Sequence, residues 1–264
     1  MGALISSLAV ASDAHADLVP TDDRGLIAGD ALIKAYDGPL PGYFARPYGI
    51  GPYPIVLVCE ESYGMTDHIK DVCRRLAKSG YAAVTVEIYG RFVELVKLQE
   101  KSAFIENIIP RTADGQMLSD LDAAVAYAGQ HGGDLSRIAV TGFGRGGRNT
   151  WIYNAVNPRL RAAVAWYGPV GGVTSPLQPY TPLDVAGRLN APLLGLYAGD
   201  DPSIAVADVQ LAVTLARSSG RSAELVIYPD APHSFFADDH PSYRPDAAND
   251  AWLRMIDWFR RNGV

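Results

Sequence analysis

The chain is short of the residues and runs that mark several protein classes. It has two cysteines, Cys59 and Cys73, in 264 residues. Two are too few for a Cys-rich zinc site or a disulfide scaffold, and both read as reduced, buried thiols. Positive charge is not in excess: 23 Lys and Arg stand against 29 Asp and Glu, a net charge of −6. The densest basic groups are the pairs Arg74-Arg75 and Arg260-Arg261. Phosphate backbones are bound by clustered cations, so no nucleic-acid partner is expected. No apolar run reaches the roughly 18 residues of a membrane span, so no membrane partner is expected. No stretch reads as a linker, and no repeat recurs at about 20–50 residues. With 48% hydrophobic and 20% charged residues, the balance is globular and excludes disordered, collagen-like and coiled-coil classes.

The N-terminus carries the apolar run from Met1 to Ala11, and Ala14-His15-Ala16 resembles a signal-peptidase site. No Lys or Arg precedes the run, so the positively charged start of an export signal is missing. Residues 1–29 therefore read as an extension, either a short docking helix or the remnant of a trimmed signal. The expected compartment is cytoplasmic, or periplasmic in the second case. Residues 30–264 read as one domain.

Within that domain two kinds of segment alternate. Ala31–Tyr36 and Gly42–Pro47 read as strands around the Asp37-Gly38-Pro39 turn. Pro54–Glu60, Tyr81–Ile88, Arg137–Thr141, Arg161–Tyr167, Pro192–Tyr197 and Ala223–Tyr228 are near-continuous apolar runs. Between them lie helical stripes: Ile69, Val72, Cys73 and Leu76; a looser one from Phe92 to Ile109; Leu118, Leu121, Ala124 and Val125; and Asp246–Arg261 at the end. Solid apolar strands separated by helices predict an α/β fold, a mostly parallel central sheet with helices on both faces.

Functional groups collect at the carboxyl ends of strands in such a sheet. Four strand ends stand out. Gly142-Phe-Gly144-Arg145-Gly-Gly147 follows one strand and opens a helix, the setting of the G-x-S-x-G nucleophile elbow, yet its central residue is Gly144. Tyr197-Ala-Gly-Asp200-Asp201 and Ala231-Pro-His233-Ser-Phe235 follow later strands. An acid and then a histidine after the elbow is the α/β-hydrolase chain order. His233 is the candidate general base, and Asp201 or Asp200 would hold its tautomer. The fourth is Cys59-Glu60-Glu61-Ser62-Tyr63-Gly64. A backbone N–H here, at Ser62, would pair with that of Arg145 as an oxyanion hole. The glycines of 142–147 echo a dinucleotide fingerprint but lack its first-strand position and following acid, so no cofactor is expected. His15, His68, His131 and His240 show no metal-ligand spacing, and no metal is expected.

Six segments in order carry a resemblance: Glu61–Gly64 with His68-Ile69 after it, Glu87–Arg91, Thr141–Arg148, Ala163–Gly168, and Tyr228-Pro-x-Ala-x-His233-Ser-Phe. Over about residues 30–262 the chain resembles the dienelactone hydrolase (carboxymethylenebutenolidase) family. The resemblance implies an α/β-hydrolase acting on a small-molecule ester or lactone through a Cys, Asp and His triad. It implies Asp201 as triad acid, His233 as base, and Glu61 as the carboxylate that meets the resting thiol. Arg91 would hold a substrate carboxylate. Apart from the resemblance, Trp166, Tyr167, Tyr89 and Phe236 read as either the lining of an apolar pocket or core, and a monomer or small homo-oligomer is expected. Three departures matter. Gly144 stands where the family's Cys belongs, Cys59 lies where a polar Gln is usual, and Ala237 lies near where some members place a second carboxylate-binding Arg. Glycine relieves a strained elbow but cannot attack a carbonyl. Catalysis is therefore expected to be absent or weak. Three explanations remain open: an introduced substitution, a natural non-catalytic relative that binds small molecules in the same pocket, or an enzyme using another nucleophile.

Overall fold

In the strand Tyr53–Cys59, every residue from Ile55 to Cys59 is buried, and the side chains divide by alternation. Ile55, Leu57 and Cys59 join one apolar core, whereas Val56 and Val58 join another. A strand buried on both faces needs a layer on each, and that requirement sets the architecture. The structure, a computed structural model, describes residues 20–92 and 107–264.

Eight strands form one sheet in the order β1-β2-β4-β3-β5-β6-β7-β8. They are β1 (Leu26–Ala35), β2 (Gly38–Pro47), β3 (Tyr53–Cys59), β4 (Ala82–Val86), β5 (Gly133–Phe143), β6 (Leu160–Trp166), β7 (Leu193–Asp200) and β8 (Ala223–Pro232). The β1–β2 hairpin is antiparallel and adds to the edge of β4. From β4 across to β8 all pairings are parallel. The carboxyl ends of these six strands consequently open at one end of the sheet. β1 begins at Leu26, ahead of the boundary expected at residue 30.

Helices α1 (Asp67–Lys78) and α5 (Pro245–Arg261) cover one face, with Ile69, Val72, Leu76, Met255 and Phe259 in its core. Helices α2 (Asp114–Gln130), α3 (Arg145–Val156) and α4 (Val206–Ser218) cover the other, through Leu121, Val125, Trp151, Val209 and Val213. The helix expected between Phe92 and Ile109 falls, from 93 to 106, outside the described residues. The sheet with helices on both faces is the α/β architecture expected.

A buried ion network ties the N-terminal side of the domain to α1. Asp71, fully buried, accepts from the Thr21 backbone N–H at 2.6 Å, from Arg74 at 2.8 Å and from Arg75 at 2.6 Å. Arg75 also pairs with Asp238, which takes His68 Nδ1 at 2.8 Å.

Candidate active site

The elbow is built by close approach. β5 runs beside β3 with Gly142 opposite Cys59, and beside β6 with Phe143 opposite Trp166. A side chain on Gly146 would run into the carbonyl oxygens of Cys59 and Glu60, so glycine there lets α3 start hard against the end of β3. Between strand and helix, Gly144 turns with φ 53° and ψ −116°. Its N–H donates to the Trp166 carbonyl at 3.0 Å, and its carbonyl accepts from Gly147 N–H at 2.9 Å. Among the described residues, its chain neighbours aside, a Cβ placed on Gly144 would meet His233 Nε2 at 4.0 Å.

The other nitrogen of that ring is held. His233 Nδ1 lies 2.6 Å from Asp201 Oδ2, which assigns the proton to Nδ1 and leaves Nε2 free to accept. The remaining oxygen of Asp201 accepts from Ser203 N–H at 2.8 Å and Ser203 Oγ at 2.6 Å. Burial opposes the Asp201 charge, but the hydrogen bonds from Ser203 and His233 outweigh it and hold the carboxyl below its ordinary range. Asp200 is exposed and makes no such contact with His233 among the described residues.

Glu61 lines the same cavity, a space of about 450 Å³ that also takes in Ser62, Gly144, His233, Ala237 and Asp239. Burial raises the Glu61 pKa, with the fields of His68 and His233 working against that rise. Among the described residues, Glu61 Oε1, Tyr167 OH and His68 Nε2 are buried polar atoms that make no hydrogen bond of normal geometry. Tyr167 sits at a positive φ of 33°, and burial, then the Glu61 charge, pushes its hydroxyl well up. Arg145 is the first residue of α3, so its backbone N–H has no intrahelical acceptor. Ser62 is at the cavity wall.

Three expected site residues lie elsewhere. Arg91 donates to Asp37 at 2.7 Å and to the fully buried Asp120 at 2.6 and 2.8 Å. Its guanidinium is thus held by two carboxylates from β1–β2 and α2 and does not line the cavity. Trp166 is fully buried, donates its indole N–H to Thr141 Oγ1 at 3.0 Å, and packs on Phe143 and Phe236. Tyr89 is likewise a core residue. Cys59 is fully buried, and burial pushes its thiol up to about 12.

The sequence set His68 aside for want of metal-ligand spacing and gave no role to Asp238 and Asp239. The signal was the Asp-Asp pair a turn beyond His233. The ligand atoms of these three lie within 4.8 Å of one another, but Arg75 and His68 already occupy the two oxygens of Asp238. Beneath the loop, Glu60 Oε1 accepts from Ile88 N–H at 2.8 Å and Glu87 Oε2 from Met65 N–H at 2.9 Å. These bonds brace the turn that carries Glu61 and Ser62. Burial, and then the neighbouring Glu87, raise Glu60 well above the carboxylate range.

A sharp strand-to-helix turn at the carboxyl end of a parallel sheet, facing a carboxylate-bound histidine from the last strand, belongs to the α/β-hydrolases. Within that class the chain belongs to the dienelactone hydrolase family, whose sequence model, "Dienelactone hydrolase family", matches residues 40–263. It is 46% identical over 259 residues to a "Putative carboxymethylenebutenolidase" of Methylorubrum extorquens, covering 98% of this chain and 89% of the relative. A "Probable 2-oxo-3-(5-oxofuran-2-ylidene)propanoate lactonase" of a Bradyrhizobium species is 31% identical over 222 residues, covering 83% of this chain and 88% of the relative. The solved structure of a "Putative Dienelactone Hydrolase" from Klebsiella pneumoniae superposes with a TM-score of 0.86 at 43% identity, covering 89% of this chain and 98% of that one.

Proposed function

We propose that the cavity is an ester- or lactone-hydrolysing site that lacks its nucleophile, so that the chain as given turns over weakly or not at all. The observation that carries this reading is the direction of Gly144. Among the described residues, its chain neighbours aside, the heavy atom within 4 Å of a Cβ at this position is the free nitrogen of a carboxylate-bound histidine. In this reading His233 is the base, Asp201 orients it, and the backbone N–H groups of Arg145 and Ser62 receive the oxyanion. Glu61 stands by to hold a proton, and its raised pKa favours the neutral form. The lactonase name among the relatives supports a lactone or activated ester as substrate.

Without a side chain at 144, water must attack directly. His233 Nε2 takes a proton from water as its oxygen adds to the carbonyl, and returns that proton to the leaving alkoxide. Hydrolases stripped of a triad member keep about 10³–10⁴-fold over the uncatalysed rate through such remaining parts. Hydrolysis of a dienelactone and of an aryl acetate, measured for this chain beside Gly144→Cys, tests the reading. The substitution is expected to raise kcat/KM by several orders of magnitude. No turnover by either protein would reject it. His233→Ala should lower the residual rate of the unsubstituted chain further, to what the oxyanion hole and binding alone supply, and an unchanged rate would remove His233 from the mechanism. The second reading, a non-catalytic binding relative, draws on Gly144 itself. It is favoured if calorimetry shows an intact ester bound tightly without turnover.

A further inference from the structure

We propose that the cavity is a two-substrate site in which a small neutral aliphatic thiol from solution supplies the nucleophile that Gly144 lacks, making the protein an acyltransferase from ester or lactone to thiol. The proposal rests on the acyl-transfer reading of the pocket given above. Its geometric basis is the open space above Gly144, where, among the described residues and its chain neighbours aside, His233 Nε2 is the heavy atom within 4 Å of a Cβ position. That space belongs to a cavity of about 450 Å³, which admits an ester and a small thiol together.

Chemistry selects a thiol over water. A thiol ionises at about pH 8.5, whereas water requires about 15.7. A histidine base with Nε2 free therefore activates a thiol more readily than it activates water. The chain's own thiols cannot serve. Cys59 and Cys73 are both fully buried, and burial raises both. Among the described residues no serine or threonine hydroxyl hydrogen-bonds His233, whose side-chain partner is Asp201. The charge of the guest follows from the lining. Asp239 lines the space, so a thiol carrying a carboxylate meets like charge there, and a neutral one does not.

The step balances without a redox partner. The S–H proton passes to His233 Nε2 as sulfur bonds the carbonyl carbon and the carbonyl electron pair moves to oxygen. The oxyanion is held by the N–H groups of Arg145 and Ser62. Collapse breaks the C–O bond, the departing alkoxide takes the proton from His233, and the products are a thioester and an alcohol.

The test is hydrolysis of p-nitrophenyl acetate by the intact chain with rising 2-mercaptoethanol, spontaneous thiolysis subtracted, and with mercaptoacetate as the anionic comparison. Expected is a saturating rise of about 10²-fold, the usual span of general-base assistance. Mass spectrometry should find thioester in step with p-nitrophenol, and mercaptoacetate should act more weakly. The effect should vanish in His233→Ala, shown folded by circular dichroism, and Gly144→Cys should no longer depend on thiol. A linear, non-saturating response, or one kept in His233→Ala, overturns the proposal. So does a mercaptoacetate response equal to that of 2-mercaptoethanol, which refutes the selection by charge. If Gly144→Cys hydrolyses rapidly while the unsubstituted chain ignores thiol, the transferase proposal fails and the hydrolase reading stands. If Gly144→Cys is also inert, both fail.

Discussion

At the residue scale, Glu60 shows how the site is braced by a group that never faces substrate. It is fully buried at the end of β3 and accepts from Ile88 N–H. Burial and Glu87 hold its pKa above the ordinary 4.5. The folded state therefore binds this proton more tightly than the unfolded chain, and stability falls as pH rises from the ordinary value through the raised one. Glutamine keeps the shape and the acceptor and has no charge to desolvate. Glu60→Gln is expected to raise the melting temperature at about pH 8 by about 2–4 °C, equivalent to ~1 kcal/mol, and to leave it unchanged at about pH 5. Calorimetry at the two values checks this, and an equal change at both would exclude a proton-linked role.

At the scale of elements, the glycine-rich start of α3 is where packing is tightest. Gly146→Ala would push a methyl into the carbonyls of Cys59 and Glu60, and overpacking of this kind costs about 1–3 kcal/mol. Urea denaturation should show that loss. If it does not, the elbow has slack that the structure denies it. The elements were largely legible in the sequence, because strands buried on both faces read as solid apolar runs. Strand ends were less so: β5 extends back through Gly133 and Asp134, and its pairing with Tyr53 and Pro54 is a backbone event with no apolar signal. Asp201 and His233 stood out because each follows a strand. Arg91 was placed at the substrate because nothing local shows that Asp37 and Asp120, from a hairpin turn and a distant helix, would claim it. His68 was left without a role because its partner, Asp238, lies far along the chain.

At the scale of the whole molecule, two sets of carboxyls pull stability in opposite directions with pH. Asp201 and Asp238 are held below their ordinary range by hydrogen bonds that outweigh burial. Their contribution is present above the unfolded value of about 3.8 and is lost as pH falls through the folded ones. Glu60, Glu61 and Glu87 are raised by burial, and their effect wears away stability as pH climbs. The melting temperature is expected to peak at about pH 5 and to fall on both sides. A scan from about pH 3 to about pH 9 tests this, and a plateau through neutrality would show that the buried glutamates shed their protons without loss. Among the described residues no helix is long and apolar enough to cross a membrane.

The turn at Gly144 also bears on heredity. Codons for glycine and cysteine differ by a single base, and the backbone at φ 53° accepts glycine with less strain than any residue bearing a side chain. Mutation from cysteine to glycine at this position therefore relaxes the fold, and drift alone can carry it through a lineage. The diad, the cavity and the braced loop do not depend on that side chain, so one reverse mutation would find them in place. Were the position cysteine in an ancestor, the chemistry proposed for the cavity would lie a single residue away.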